Sequence, residues 1–138
     1  MTATDSADRP MLDYDRLQLG EVFGPIVYRL TPAKLDLYRE AVSDPEAIFA
    51  TIASKDYANL LRTRYILGDV VNARHDTRYY HTPRPGGEIR TTGRLVDRYV
   101  KRDRQFITVE TISTDEAGDV LVESRTTLAL GRPKPAVE

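Results

Sequence analysis

His75 and His81 are the two histidines of the chain, and with Tyr79 they fall on one parity of a stretch that reads as a β-strand. Side chains of one parity share a face, so these three would line a cavity together. Imidazole is the side chain best suited to moving protons near neutral pH. Two histidines without a matching carboxylate pattern do not make a metal site. The chain has no cysteine, which excludes thiolate ligands, disulfides and a cysteine nucleophile. His81 also reads as a strand-end residue near solvent, because Thr82-Pro83 follows it. Arg84, Arg90, Arg94 and Arg98 form a basic strip, the last three on one face of the next strand. A phosphate-bearing ligand would suit that strip, and so would a solvated sheet face. Asp56 falls near the start of a helix, where the helix dipole favours an acidic residue. Tyr57, by helical phase, faces the sheet.

These residues need elements to position them. Glu88 to Val100, Gln105 to Thr114 and Asp119 to Leu130 are rich in β-branched and aromatic residues and read as three long strands. Lys101-Arg102-Asp103-Arg104 and Asp115-Glu116-Ala117-Gly118 join them as hairpin turns. In the last strand Val120, Val122, Leu128 and Leu130 take one parity, Glu123 and Arg125 the other, which predicts one buried and one wet face. Another strand runs from about Asp69 through Tyr80, and an early one from Glu21 to Leu30, interrupted by Gly24-Pro25. Thr31-Pro32 starts a helix, a hydroxyl N-cap followed by proline, and Leu35, Tyr38, Ala41 and Val42 keep helical spacing. Asp44-Pro45 breaks it. Ser54 caps a second helix with Tyr57, Leu60, Leu61 and Tyr65 as its apolar stripe, closed by Gly68. The class is α+β, a long antiparallel sheet curled around a central helix.

At 138 residues, 41% hydrophobic and 30% charged, the chain makes one domain. Residues 13–131 are expected to form it, with 1–12 a disordered leader and 132–138 a flexible tail. A net charge of −1 argues against a nucleic-acid partner. The 16 Arg against 4 Lys read mainly as a compositional habit, secondarily as a preference for bidentate anion contacts. No apolar run approaches the roughly 20 residues that span a bilayer. Met1 to Asp8 lacks the pattern of a secretory signal, so a cytoplasmic protein without membrane attachment is expected.

From Leu17 to Leu130 the chain resembles the MaoC-like hydratases and dehydratases, which have the hot-dog fold. The resemblance rests on Leu19-Gly20-Glu21-Val22-Phe23, on Ala41-Val42-Ser43-Asp44, and on Tyr80-His81-Thr82-Pro83-Arg84-Pro85-Gly86-Gly87-Glu88. Gly93-Arg94-Leu95-Val96-Asp97 and Thr114-Asp115-Glu116-Ala117-Gly118-Asp119-Val120 extend it. Active members carry a segment of the form small residue, Gly, Asp, any residue, Asn, Pro, aliphatic, His, whose Asp and His move the protons of hydration. Adding water across a conjugated thioester requires one group to take a proton from water and one to deliver a proton to carbon. Here the segment reads Ser43-Asp44-Pro45-Glu46-Ala47-Ile48-Phe49. Asp44 keeps the acidic position and is the candidate catalytic group. Ser43, Ala47 and Phe49 replace the Gly, the Pro and the His. With imidazole gone, Phe49 resembles the tunnel-lining residue of the non-catalytic subunit in heterodimeric hydroxyacyl dehydratases.

The resemblance implies a protein acting on acyl thioesters. It would be an (R)-specific enoyl-thioester hydratase or 3-hydroxyacyl dehydratase, a lyase, or the substrate-binding subunit of one. Phe49, Asp56, Tyr57 and His75 would bind substrate, and Arg84, Arg90 and Arg94 would hold the phosphates of coenzyme A or of a carrier protein's phosphopantetheine. That group is part of the substrate; no separate cofactor and no metal is expected. Two other readings stay open: a hot-dog thioesterase using Asp56 or Glu46, and a non-catalytic acyl-binding protein. Exposed edges of a one-domain sheet imply a homodimer, or a heterodimer with a homologous hot-dog subunit.

Overall fold

The computed structural model describes residues 9–29, 31–41, 56–84 and 86–131. Asp44, Glu46, Phe49 and the Ser54 cap lie outside the described residues, as do most of the expected leader and the tail. The elements in chain order are a 3-10 turn at Tyr14–Arg16, β1 (Val22–Arg29), α1 (Pro32–Ala41), α2 (Asp56–Arg62), β2 (Val70–Tyr79), β3 (Glu88–Lys101), β4 (Arg104–Thr114) and β5 (Val120–Leu130). All five strands join one antiparallel sheet in the order β1-β3-β4-β5-β2.

Both hairpins form where the turn residues place them. Lys101 pairs with Arg104, and the two residues between, Arg102 and Asp103, take φ of 52° and 62°. Positive φ at both central positions gives the twist that matches flanking strands. In the second turn the Asp115 carboxylate accepts from the N–H groups of Ala117 and Asp119, and Gly118 takes φ 88°. α2 ends at Arg62, six residues before the Gly68 that the sequence offers as its stop. The chain turns there through Thr63 and Arg64, and Tyr65 packs into the core from outside the helix.

α2 lies against β1, β3 and β4. Leu60 and Leu61 are fully buried with Leu17, Phe23, Leu95, Ile107, Val109 and Leu128. Two glycines permit that approach. A Cβ on Gly24, itself at φ +88°, would lie 2.6 Å from Leu60 Cδ2; one on Gly93 would lie 3.0 Å from Leu60 Cδ1. The sheet is dented at Gly24 and Gly93, and Leu60 fills the dent.

Three expectations are corrected. The register of β3 on β4 slips between Leu95 and Asp97, a bulge that reverses the parity beyond it. Arg94 therefore pairs with Glu110 on the outer face, whereas Arg98 pairs with the core residue Ile107. There Arg98 donates to the Tyr14 carbonyl and its guanidinium sits 4.8 Å from the Tyr14 ring centroid. Arg90, Arg94 and Arg98 do not share a face. Secondly, Leu121 and Ala129 of β5 are buried although they sit on its wet parity. The register breaks beside Leu121, between Ser113 and Thr114, and Ala129 is covered between Phe106 and Val71. Thirdly, Pro10 to Leu12 belong to the domain rather than to a leader. Leu12 N–H donates to the Ile66 carbonyl, Ile66 N–H to that of Pro10, and Leu12 packs on the core.

Candidate functional site

Residues directly opposite in adjacent strands share a face of the sheet. The pairs Thr91–Ser113, Thr111–Ser124, Ser124–Thr77 and Thr126–His75 follow from the register, all on the face that carries the core residues Val109 and Leu128. The inner face is thus divided. Around Leu60 and Leu61 it is aliphatic; elsewhere it carries Thr91, Thr111, Ser113, Ser124 and Thr126, all buried. A hydroxyl buried in a core must find a partner; Asp56 bonds Thr91 and His75 bonds Thr126, while Ser113 and Ser124 bond neighbouring threonine hydroxyls.

Asp56, 3% exposed, opens α2. Its Oδ2 accepts from the Tyr28 hydroxyl at 2.9 Å and from Thr91 Oγ1 at 3.2 Å, and Thr91 Oγ1 is 2.7 Å from Ser113 Oγ. Burial pushes the Asp56 carboxyl above its ordinary range, and the bonds from Tyr28, Thr91 and Asn59 pull it partly back. Burial, then the neighbouring Asp56 charge, raises the Tyr28 hydroxyl as well, so it remains a donor.

His75 forms the second cluster. Its Nδ1 lies 2.7 Å from Thr126 Oγ1 and its Nε2 2.8 Å from Thr77 Oγ1, which is 3.4 Å from Ser124 Oγ. The Tyr57 ring of α2 stands 6.1 Å from the imidazole, centroid to centroid. Tyr57 is half-buried, packed on the core, and its hydroxyl accepts from Asn72. His81 does not join this group. β2 has ended by Tyr79, and His81 is exposed with Nδ1 3.1 Å from the Val120 carbonyl. Tyr79 is largely exposed, so the expected cavity of His75, Tyr79 and His81 does not form.

The arginines stand elsewhere. Arg90 and Arg94 project from the outer face, opposite to Asp56 and His75, and Arg94 and Arg125 both contact Glu110, at 3.5 and 3.1 Å. Arg84 is exposed in the loop before β3, lining a cleft with Glu88, Ile89, Asp115 and Leu121. Among the described residues no group of three His, Cys, Asp or Glu side chains could hold a metal. The hydroxyl partners of Asp56 and His75 escape a reading confined to charged residues and histidines. Inward parity in Thr111-Ile112-Ser113 and Ser124-Arg125-Thr126 was the signal that identifies them: hydroxyls stand where Ile107, Val109, Val122 and Leu128 set an aliphatic pattern.

No protein-family model and no curated protein matches the sequence. Solved structures do match. The (R)-hydratase from A. caviae involved in PHA biosynthesis superposes with a TM-score of 0.70 at 12% identity, over 84% of this chain and 98% of that one. A MaoC-like dehydratase from Rhodospirillum rubrum gives 0.66 at 17%, over 88% and 99%. The HadBC (3R-hydroxyacyl-ACP dehydratase) complex from Mycobacterium tuberculosis gives 0.65 at 14%, over 80% and 96%. Over most of its length, then, this chain has the hot-dog fold found in (R)-hydratases and MaoC-like dehydratases.

Proposed function

We propose that the protein handles acyl thioesters of coenzyme A or of a carrier protein. In this reading it is an (R)-specific enoyl-thioester hydratase or 3-hydroxyacyl dehydratase, or the substrate-binding subunit of one, and it works in the cytoplasm. The observation that carries the reading is the divided inner face: a hot-dog sheet with two polar clusters, Asp56 with Thr91 and Ser113, and His75 with Thr126, each reached from α2, the first by Asp56 and the second by the Tyr57 ring. Groups that exchange protons beside an apolar core are what hydration of an enoyl thioester requires. Arg84 and Arg90, both exposed at the start of β3, are the cations assigned to the carrier's phosphates.

Phe49 in place of the resemblance's histidine makes the isolated chain a slow hydratase. The partner in this proposal is a second copy or a homologous hot-dog chain. β1 and β2 are the sheet's edges, with Val22, Val27 and Val71 exposed on them, and HadBC is by its name a complex of two such subunits. The buried Asp56 favours a second reading, thioester hydrolysis with its carboxyl as the working group. One assay separates them. Loss of enoyl absorbance from crotonyl coenzyme A without free thiol is hydration; thiol release is hydrolysis. The expected outcome is hydration well below ordinary enzyme rates of about 10 per second. If the probe neither binds nor turns over, the proposal fails.

A further inference from the structure

We infer that His75 is the acid–base group of the inner face, coupled to its open side through the Thr77 hydroxyl. The inference rests on the acyl-thioester reading and deepens it. Of the chain's two imidazoles, this one lies on the inner face. Its two nitrogens meet unlike surroundings: Thr126, on Nδ1, is fully buried, whereas Thr77, on Nε2, is only partly buried. One bond anchors the ring and the other leads outward.

The chemistry of the partners matters more than their number. A hydroxyl both donates and accepts, and it changes role by rotating. Neutral His75 in either tautomer, and the imidazolium, are all satisfied by Thr126 and Thr77 without movement of heavy atoms. His81 shows the contrast. Its Nδ1 faces the Val120 carbonyl, which only accepts, so that nitrogen must carry hydrogen. A histidine serving packing alone is well held by a carbonyl; both nitrogens of His75 meet hydroxyls instead, which can donate to the ring or accept from it.

Around the ring stand Tyr57 from α2, Thr77 from β2, and Ser124 and Thr126 from β5. The charged neighbours Arg74, Asp76 and Arg125 pair on the other face of the sheet. In hydration, the oxygen of water bonds to Cβ of the enoyl thioester and its proton passes through Thr77 Oγ1 to Nε2. The π pair moves to Cα as the enolate, and the imidazolium returns the proton to Cα by the same hydroxyl. One water is added, and nothing is oxidised or reduced.

The test uses the full chain with crotonyl coenzyme A, measuring binding by calorimetry and hydration by loss of enoyl absorbance. His75→Asn places an amide near the Nδ1 position, able to bond Thr126 but unable to transfer protons. It should keep the melting temperature and the binding constant while lowering kcat about 100-fold, within the span of general acid–base assistance. Thr77→Val should lower kcat about tenfold with KM unchanged, and His81→Asn should leave both unchanged. Full turnover in His75→Asn overturns the inference and leaves the acyl-thioester reading standing. A wild-type chain that binds crotonyl coenzyme A without hydrating it also overturns the inference alone. One that does neither overturns both.

Discussion

At the scale of single residues, Asp56 gives the clearest prediction. Burial holds its carboxyl above the ordinary 3.8, so the folded chain binds that proton more tightly than the unfolded one. Stability then falls as pH rises through the folded-state value, and the loss is absent well below the unfolded value. Asp56→Asn keeps an oxygen for Tyr28 and Thr91 but carries no charge. Its melting temperature relative to wild type should therefore climb as the pH rises from about 4, and level off once the folded-state carboxyl has ionised. A difference that stays constant over that range would show that the carboxyl does not titrate on folding. Phe49 supplies a prediction about rate. Phe49→His with Ala47→Pro restores the Pro and the His of the hydratase segment and should raise crotonyl coenzyme A hydration by on the order of 10²-fold. No gain would mean that the segment is not where protons move.

At the scale of elements, the contact between α2 and the sheet hangs on Leu60 and the glycines beneath it. Leu60→Ala should cost about 2–5 kcal/mol by leaving a cavity between helix and sheet. Gly93→Ala alone should cost about 1–3 kcal/mol, because its Cβ would press on Leu60. The two are in contact, so the double variant should lose less than the sum, since shortening Leu60 makes room for the added methyl. Urea melts of the four proteins measure this, and strict additivity would contradict the dent-and-knob packing. The β3–β4 turn is a second lever. Arg102 and Asp103 both take left-handed backbone, which Asn and Gly adopt more cheaply. Replacing the pair by Asn-Gly should stabilise the chain by about 1 kcal/mol.

For the whole molecule, the sheet edges decide the assembly. β1 and β2 each have a strand on one side only, and edges of this kind template further pairing unless covered. Light scattering at micromolar concentration should report a dimer, or a monomer that dimerises when a homologous subunit is added. A chain that stays monomeric beside such a partner would count against the proposed assembly. The Tyr65–Glu21 bond, 2.6 Å, closes the far end of the helix region with Arg64, and burial pushes the Tyr65 hydroxyl up to about 12. That end is tied by an ion pair and a hydrogen bond, while the rest of the inner face is lined with hydroxyls.

The sequence by itself determined the element order, both hairpins and the fold class. Those follow from local rules: β-branched runs, a Thr-Pro helix start, and turns whose residues tolerate their backbone. It also marked His75, Asp56 and Tyr57 as residues of interest. Only the tertiary structure decided what each faces. A single unpaired residue, Val96, reverses the parity of β3, so Arg98 turns inward while Arg90 and Arg94 face outward. No local rule places such a bulge, because its cause is the fit of one strand to another. The same holds for the hydroxyls: Thr91 reaches Ser113 across the β3–β4 pair, and Thr126 reaches His75 across the β5–β2 pair, from distant parts of the chain. Local propensity forms the strands; strand pairing determines which side chains meet.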